Sequence, residues 1–202
     1  MSKFDRAAIN WDENPIRVNM AKSVANGVRK FISLERRFNL LDFGCGTGLV
    51  SFFLAEDVGH ITGIDNSKAM VEVFNKKAKE NNINAQAYHI ELSQEELNQN
   101  FDVIVSSMTF HHIKYPVDIL KKLYRALKEG GCIAVAELVK EDGTFHEEND
   151  GVEHFGFEIK DMEKFFQEAG FRDIKHDIIY TVEKERGENK KEYPVFIMVG
   201  RK

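Results

Sequence analysis

The chain has 202 residues, of which 43% are hydrophobic and 30% are charged, and its formal net charge at pH 7 is −5. Such a chain is long enough for one domain with a full core, and an acidic balance without a basic run argues against nucleic acid as a partner. Because the sequence has neither a signal-like N-terminus nor an apolar run long enough to span a bilayer, we expect a cytoplasmic protein that does not insert into membranes.

The spacing of apolar residues predicts alternating helices and strands. An aromatic-bearing lead-in over residues 4–11 precedes a helix that is capped by Asn14, starts near Pro15 and ends near Phe31. Further helices are predicted at about 48–57, 70–78, 117–127 and 162–169, and strands at about 39–43, 60–64, 85–90, 101–105, 132–138, 171–182 and 193–200. A long polar loop is predicted over 140–156, and a polar connection between the last two strands over 183–192. Strands that alternate with helices indicate a parallel sheet with right-handed crossovers, closed here by a C-terminal hairpin.

The most specific pattern is the glycine-rich turn within residues 40–50, which read Leu-Leu-Asp-Phe-Gly-Cys-Gly-Thr-Gly-Leu-Val. An apolar strand ends, three glycines alternate at Gly44, Gly46 and Gly48, and a helix follows. Backbone N–H groups and a helix start can therefore approach a ligand closely. The second strand ends in Asp65, roughly where nucleotide-binding α/β proteins place a carboxylate for a ribose diol. The turn and Asp65 together indicate a nucleoside site.

The glycine spacing differs from the dinucleotide fingerprint G-x-G-x-x-G, because the pattern here is G-x-G-x-G and Leu49 fills the sixth place. Asp42 comes shortly before the first glycine, where a carboxylate would repel a pyrophosphate and attract an ammonium group. The pocket therefore suits a nucleoside with a zwitterionic amino-acid tail better than a dinucleotide. A glycine turn in an unrelated α/β protein is the alternative.

The glycine-rich turn within residues 40–50 resembles motif I of the class I S-adenosylmethionine (SAM) dependent methyltransferases, and Asp65 matches the ribose-binding acid of that family. Residues 101–113 and 128–131 resemble the family's motif at the end of the fourth strand and its turn before the fifth strand. Residues 4–17 are similar to the lead-in of a small-molecule subgroup related to the ubiquinone and menaquinone methyltransferases.

The resemblance covers nearly the whole chain and implies a single domain over residues 1–202, with residues 1–32 as an N-terminal helical cover. It implies a Rossmann-like, doubly wound α/β fold. The expected sheet has seven strands, is mostly parallel with an antiparallel C-terminal strand, and carries helices on both faces.

The resemblance also implies SAM as the methyl donor and S-adenosylhomocysteine as the product. The residues that it places around this cofactor are Asp42, Phe43, Gly44, Cys45, Gly46, Gly48, Asp65, Asn66, Met70, Glu91, Leu92, Ser106 and Met108. Some have simpler explanations: Asp65 as a helix cap, Met70 as helix core and Glu91 as a solvated loop residue. We expect Cys45 to pack as a small apolar residue rather than act as a nucleophile. The other cysteine, Cys132, falls in a different element, so a disulfide is not expected.

Candidate residues for the acceptor side follow the fourth and fifth strands. His111 and His112 can each take a proton from an acceptor, since imidazole titrates near neutral pH, or can bond a neighbouring loop. The candidates for a lid that keeps water from the methyl donor are Trp11, Phe145, His146 and His154. The His and carboxylate residues of 146–154 could bind a divalent metal, but their spacing matches no closed metal motif, so we expect solvated loop charge and assign no metal ligands; the sequence leaves open whether the loop 143–157 binds a metal.

We therefore predict an enzyme that transfers the SAM methyl group to a small-molecule acceptor. The sequence leaves open a non-catalytic SAM-binding protein and a methyltransferase that acts on a macromolecule, although the acidic charge disfavours the latter. An NAD-type oxidoreductase is a more remote alternative, because of Asp42 and the glycine spacing. The sequence identifies neither the acceptor, nor its attacking atom, nor the oligomeric state.

Overall fold

A computed structural model of the chain describes residues 3–97, 100–186 and 189–202. Its strands are β1 Asn39–Phe43, β2 His60–Asp65, β3 Ala85–His89, β4 Phe101–Ser107, β5 Leu127–Leu138, β6 Arg172–Arg186 and β7 Asn189–Arg201. They form a seven-stranded sheet in the order β3-β2-β1-β4-β5-β7-β6. Neighbouring strands from β3 to β5 are parallel, whereas β7 runs antiparallel to both β5 and β6. The predicted sheet, mostly parallel with an antiparallel C-terminal strand, is confirmed.

The α-helices of the described residues are α1 Lys3–Ala7, α2 Pro15–Phe31, α3 Leu49–Leu54, α4 Lys68–Glu80, α5 Pro116–Ala126 and α6 Ile159–Ala169. Short 3-10 helices occupy Ala8–Glu13 and Phe110–His112. The helix α2 starts where predicted, because the Asn14 side chain accepts a hydrogen bond from the Ile16 N–H at 2.9 Å and Pro15 fits the first turn. None of these helices is both long enough and apolar enough to span a bilayer.

Alternating side chains of β1 divide the core into two layers. Leu40 packs in the layer that includes α2, α3 and α4, whereas Leu41 packs in the layer that includes α5 and α6. Both side chains are fully buried, which explains why β1 is apolar without alternation. The predicted doubly wound arrangement, with helices on both faces, is confirmed.

The C-terminal hairpin differs from the prediction. The sequence predicts a polar connection over residues 183–192, but β6 and β7 run through most of this segment; residues 187 and 188 lie outside the described residues. Lys190 of β7 forms an ion pair with Glu183 of β6 at 2.5 Å. Antiparallel pairing and opposite charges thus maintain this end of the hairpin, where the side chains of both strands are polar.

Boundaries around α5 and β5 also differ. The sequence predicts a helix to about residue 127 and a glycine stop at 130–131, whereas β5 begins at Leu127, directly after α5. The two glycines lie within an irregularity of the β4–β5 pairing. The long loop after β5 is present as predicted, and the strand-like pairing among its described residues is an isolated bridge between Val139 and Phe157.

Candidate active site

The candidate site is a cleft at the carboxyl ends of β1 and β4. The chain continues from β1 to β2 and β3 on one side, whereas β4 and β5 lie on the other, so this is the switch point at which open α/β sheets bind ligands. A cavity of about 480 Å³ lies there. Of the residues predicted for the site, those that line it are Trp11, Asp42, Phe43, Gly44, Cys45, Gly46, Asp65, Asn66, Met70, Glu91, Leu92, Met108 and His112. Those outside its lining are Gly48, Ser106, His111, Phe145, His146 and His154.

The glycines of the glycine-rich turn have positive φ angles, which residues with a side chain rarely adopt. Gly46 has a φ of +52°, and a Cβ at this position would meet no atom within 4 Å, so the turn is open there. Gly48 has a φ of +87°, and a Cβ there would lie 2.7 Å from the Phe74 ring, so this glycine packs against α4. The Gly44 N–H donates to the Ile64 carbonyl at 2.9 Å and joins the turn to β2. The turn therefore leaves room for a ligand beside Gly46.

Asp65, at the end of β2, orders this turn. Its Oδ2 accepts a hydrogen bond from the Gly46 N–H at 2.9 Å, and its Oδ1 accepts one from the Ser67 N–H at 2.8 Å. Burial raises the pKa of Asp65, and the two N–H bonds oppose that rise. Each carboxylate oxygen has a further lone pair, so the group can hold the turn and bind a diol together.

Asp42 lies below the turn and is almost completely buried. The Ser51 hydroxyl donates to its Oδ2 at 2.6 Å. Removal from water raises the pKa of Asp42 to about 7, against the lowering effect of the Ser51 bond, and the charge of Asp65 adds to the rise. A bound ammonium group would favour the ionised form, so ligand binding and the ionisation of Asp42 are coupled.

Asp42→Asn is expected to flatten the pH dependence of stability. Because folding raises the pKa of Asp42 from its ordinary 3.8 to about 7, its contribution to the free energy of unfolding is full below the lower value. That contribution falls as the pH rises through the interval and is constant above it. Asparagine cannot ionise, so the variant should lose less stability than the wild type between about pH 4 and pH 8. Urea unfolding of both proteins across this range measures the difference, and parallel curves would contradict the assignment.

Cys45 and Ser106 are positioned by packing and hydrogen bonding around β1. Burial raises the pKa of the Cys45 thiol well above its ordinary value, which keeps the thiol protonated and opposes a nucleophilic role. Ser106 is buried, and its hydroxyl donates to the Phe43 carbonyl at 2.9 Å. Ser106 thus joins β4 to β1 at the edge where the cavity opens.

The N-terminal segment, residues 3–13, is held against the cleft by hydrogen bonds that the sequence does not predict. Asp12 accepts a hydrogen bond from the Thr47 hydroxyl at 2.5 Å and pairs with Lys77. Asp5 accepts one from the Ser67 hydroxyl at 2.6 Å. Thr47 precedes α3, and Ser67 caps α4, so two carboxylates fix the segment to the starts of both helices. The lining residues that it contributes are Phe4 and Trp11.

Arg17 is a further lining residue that the sequence reasoning did not assign to the site. Its guanidinium lies 3.7 Å from the centroid of the Trp11 ring and donates to the Trp11 carbonyl at 3.3 Å. Stacking and hydrogen bonding hold the side chain in place. The resemblance over residues 4–17 includes Arg17 but gives it no role, and its position in the first turn of α2 does not by itself assign it to the site.

Polar and apolar residues combine at the other end of the cavity. The Asn66 amide donates to Glu91 at 3.2 Å, and the lining Met70 and Leu92 are each 2% exposed. Burial acts to raise the pKa of Glu91, but hydrogen bonds from Ser93 and Asn66 outweigh it and lower the pKa. A carboxylate beside buried apolar side chains suits a flat heterocycle with an amino group.

His111 and His112 are adjacent but differ in environment. His111 is 2% exposed, and its Nδ1 donates to Glu137 at 3.0 Å. Its Nε2 is buried and has no hydrogen-bond partner among the described residues. His112 lines the cavity, and its Nδ1 donates to the Gly151 carbonyl at 2.6 Å. Glu137 is not among the site residues predicted from the sequence, although a carboxylate within the apolar run 132–138 indicates a buried charge that needs a partner.

The long loop packs on the histidine pair from outside the cavity. The His146 ring centroid lies 5.0 Å from that of His111, and Phe145 is buried beside His146. The His154 Nε2 donates to the Ile113 carbonyl at 2.9 Å. In the described ranges, no group of three or more His, Cys, Asp and Glu residues is arranged to hold a metal ion.

Comparison with known proteins shows what the glycine-rich half of the chain is similar to. Residues 40–131 match the family model described as "Methyltransferase domain". This part of the chain is similar to methyltransferase domains. An uncharacterised methyltransferase of Schizosaccharomyces pombe is 41% identical over 117 residues, which are 54% of this chain and 41% of that protein. A ubiquinone biosynthesis O-methyltransferase of Coxiella burnetii is 31% identical over 137 residues, which are 65% of this chain and 58% of that protein. These matches confirm the resemblance inferred from the glycine turn and Asp65.

A solved methyltransferase structure has the same fold as this chain. Phosphoethanolamine N-methyltransferase 2 of Haemonchus contortus, in complex with SAM, has a TM-score of 0.75 and 16% identity, over 100% of this chain and 60% of that chain. At this identity the likeness concerns the fold alone. The chain also spans only 41% and 58% of the two curated relatives, so their activities as whole proteins are not transferred to it.

Proposed function

We propose that this methyltransferase domain binds SAM in the cleft and transfers its methyl group to a small-molecule acceptor. The observation that carries the proposal is an open glycine turn at Gly46, flanked by the buried Asp42 and the partly buried Asp65, at the switch point of the sheet. The family match supports methyl transfer, and the chemistry of the cleft supports SAM as the donor.

The lining residues fit each polar part of SAM. Asp65 matches a ribose diol, because it lies at the end of β2 and keeps free lone pairs. Asp42 provides negative charge for an ammonium group, and Arg17 provides positive charge for a carboxylate. Asn66 and Glu91 match the adenine amino group. The donor set thus suits a nucleoside with an amino-acid tail.

The bound SAM would supply a methyl group on a sulfonium, a strong leaving group, so positioning supplies much of the barrier reduction. The chain must hold the acceptor, exclude water and, where the acceptor carries a proton, remove it. We assign the last role to His112. Because its Nδ1 donates to the Gly151 carbonyl, Nε2 is the nitrogen with the lone pair.

The covered position of the cleft supports a small acceptor rather than a macromolecule. Phe4 and Trp11 form part of the lining, and Asp5 and Asp12 fix their segment to Ser67 and Thr47. We propose that residues 1–32 act as a cover that excludes water from the methyl group. The loop with Phe145, His146 and His154 supports this arrangement from outside, through its contacts with residues 111–113.

S-adenosylhomocysteine is expected to bind one site per chain and to raise the melting temperature, as a ligand specific for the native state must. Isothermal titration and thermal shift measure both effects. NADH is the matched control, because it shares the adenosine but carries a pyrophosphate that Asp42 repels. Absence of heat and of a thermal shift at millimolar S-adenosylhomocysteine would refute the proposed function. Tighter binding of NADH would indicate an oxidoreductase instead.

The acceptor class needs a separate test. Incubation with isotopically labelled SAM and a metabolite extract should transfer the label to a small molecule. Label found only in a protein or nucleic acid fraction would contradict the proposed acceptor, while leaving SAM binding intact.

A further inference from the structure

A buried carboxylate lies behind the histidine pair and has no role in the function proposed above. Glu137 of β5 is 0% exposed. Its Oε1 accepts a hydrogen bond from the His111 N–H at 3.2 Å. Its Oε2 accepts bonds from His111 Nδ1 at 3.0 Å and from the Leu138 N–H at 3.1 Å. A buried carboxylate is tolerated only when it is paired and hydrogen-bonded, and these contacts meet that condition.

The contacts also determine which atoms carry protons. Burial acts to raise the pKa of Glu137, but the attraction of His111 and the hydrogen bonds from His111 and Leu138 outweigh it and lower the pKa. An ionised carboxylate only accepts hydrogen bonds, so His111 Nδ1 is protonated. The pair therefore holds the ionised carboxylate of Glu137 beneath His111.

His111 links this charge to the cavity. The centroids of the His111 and His112 rings are 4.1 Å apart. The His111 carbonyl accepts hydrogen bonds from the N–H groups of Glu153 and His154 at 2.9 and 3.0 Å. The same loop supplies the Gly151 carbonyl that orients His112. The buried His111 therefore lies against the His112 ring and also holds the loop whose Gly151 carbonyl orients that ring.

We infer that Glu137 is a positioning residue for methyl transfer, which acts through His111 on His112. The inference rests on the proposed function. The acceptor's proton passes to His112 Nε2 as the acceptor bonds the methyl carbon and the sulfur keeps the electron pair of the broken bond. The positive charge formed on His112 is stabilised by the buried negative charge of Glu137, which itself takes no proton.

The test follows the His112 imidazole by NMR and needs no acceptor. In Glu137→Gln the amide keeps the shape of the side chain and removes its charge. The titration midpoint of His112 is expected to fall by roughly 0.5–1 pH unit, because a nearby negative charge is lost. Nitrogen chemical shifts of the wild type are expected to show the Nδ1–H form for both His111 and His112. A His112→Gln variant assigns the signals.

Other charged groups near His112 are the same in both proteins. The helix of Phe4 and the loop of His146 and Gly151, which contact His112, carry Asp5, Arg6, His146, Asp150, Glu153 and His154. The charged residues that line the cavity together with His112 are Arg17, Asp42, Asp65, Glu91, Lys114, Asp118 and Lys122. Because all of them are retained in Glu137→Gln, a difference in the His112 midpoint reports the loss of the Glu137 charge.

Val135→Ala is the matched control, because Val135 lies two residues earlier on the same face of β5 and is fully buried. This variant loses packing but no charge, so it should lower the melting temperature without moving the His112 midpoint. An unchanged midpoint in Glu137→Gln, or an equal shift in Val135→Ala, would overturn the inference.

The wild-type tautomers decide the case if Glu137→Gln fails to fold. The Nδ1–H form of both histidines would support the inference, and the Nε2–H form of either would overturn it. A failure of S-adenosylhomocysteine to bind refutes the proposed function but does not change these readings of the protein alone. The two failures are therefore distinguishable.

Discussion

Asp65→Ala is expected to weaken binding of S-adenosylhomocysteine by roughly 1.5–3 kcal/mol, or about ten- to a hundredfold. The proposed complex loses the hydrogen bonds to the ribose diol, and the Gly46 N–H loses its acceptor at 2.9 Å. Isothermal titration of the wild type and the variant measures the change. The Ser67 N–H also loses its partner, so thermal unfolding must establish that the variant is folded at the titration temperature.

Asp57→Ala is the matched control for this substitution. Asp57 pairs with Arg29 at 2.7 Å and does not line the cavity, so its removal should leave the affinity within about twofold. If Asp65→Ala bound S-adenosylhomocysteine as tightly as Asp57→Ala, Asp65 would only order the turn and the start of α4.

Sequence reasoning succeeded where a local pattern carries the structural cause. The strand β1 is buried on both faces, so its apolar run indicates a central parallel strand. The alternating glycines around Gly46 predict an open turn, because a positive φ and a close approach both need a missing Cβ. The apolar run of β2 likewise predicts a buried strand, and Asp65 is the acid at the end of that strand.

Prediction from the sequence failed where contacts join residues far apart in the chain, or where polar residues pair across two strands. Asp12 and Lys77 are 65 positions apart, and no local spacing brings them together. Glu137 meets His111 only because β5 lies beside β4 in the sheet. The polar ends of β6 and β7 lack the apolar alternation that marks a strand, yet cross-strand pairing maintains them.

Three glycine substitutions separate backbone strain from ligand contact. Gly44, Gly46 and Gly130 have φ values of +72°, +52° and +75°. Alanine at any of them is strained by roughly 1–2 kcal/mol. At Gly44 the added Cβ would also lie 2.1 Å from the Thr109 hydroxyl oxygen, whereas at the other two it would meet nothing within 4 Å. Gly44→Ala should therefore lower the melting temperature by about 5–15 °C, and each of the others by about 2–8 °C.

Affinity should follow a different order from stability. The methyl group of Gly46→Ala enters the space that the proposed complex gives to the amino-acid tail of SAM. Gly46→Ala should therefore weaken S-adenosylhomocysteine binding by about tenfold or more, the equivalent of about 1.4 kcal/mol. Gly130→Ala carries similar strain at a position outside the cavity, so it should bind like the wild type. Equal affinities of these two variants would mean that the open side of the turn is not the cofactor site, whatever their stabilities.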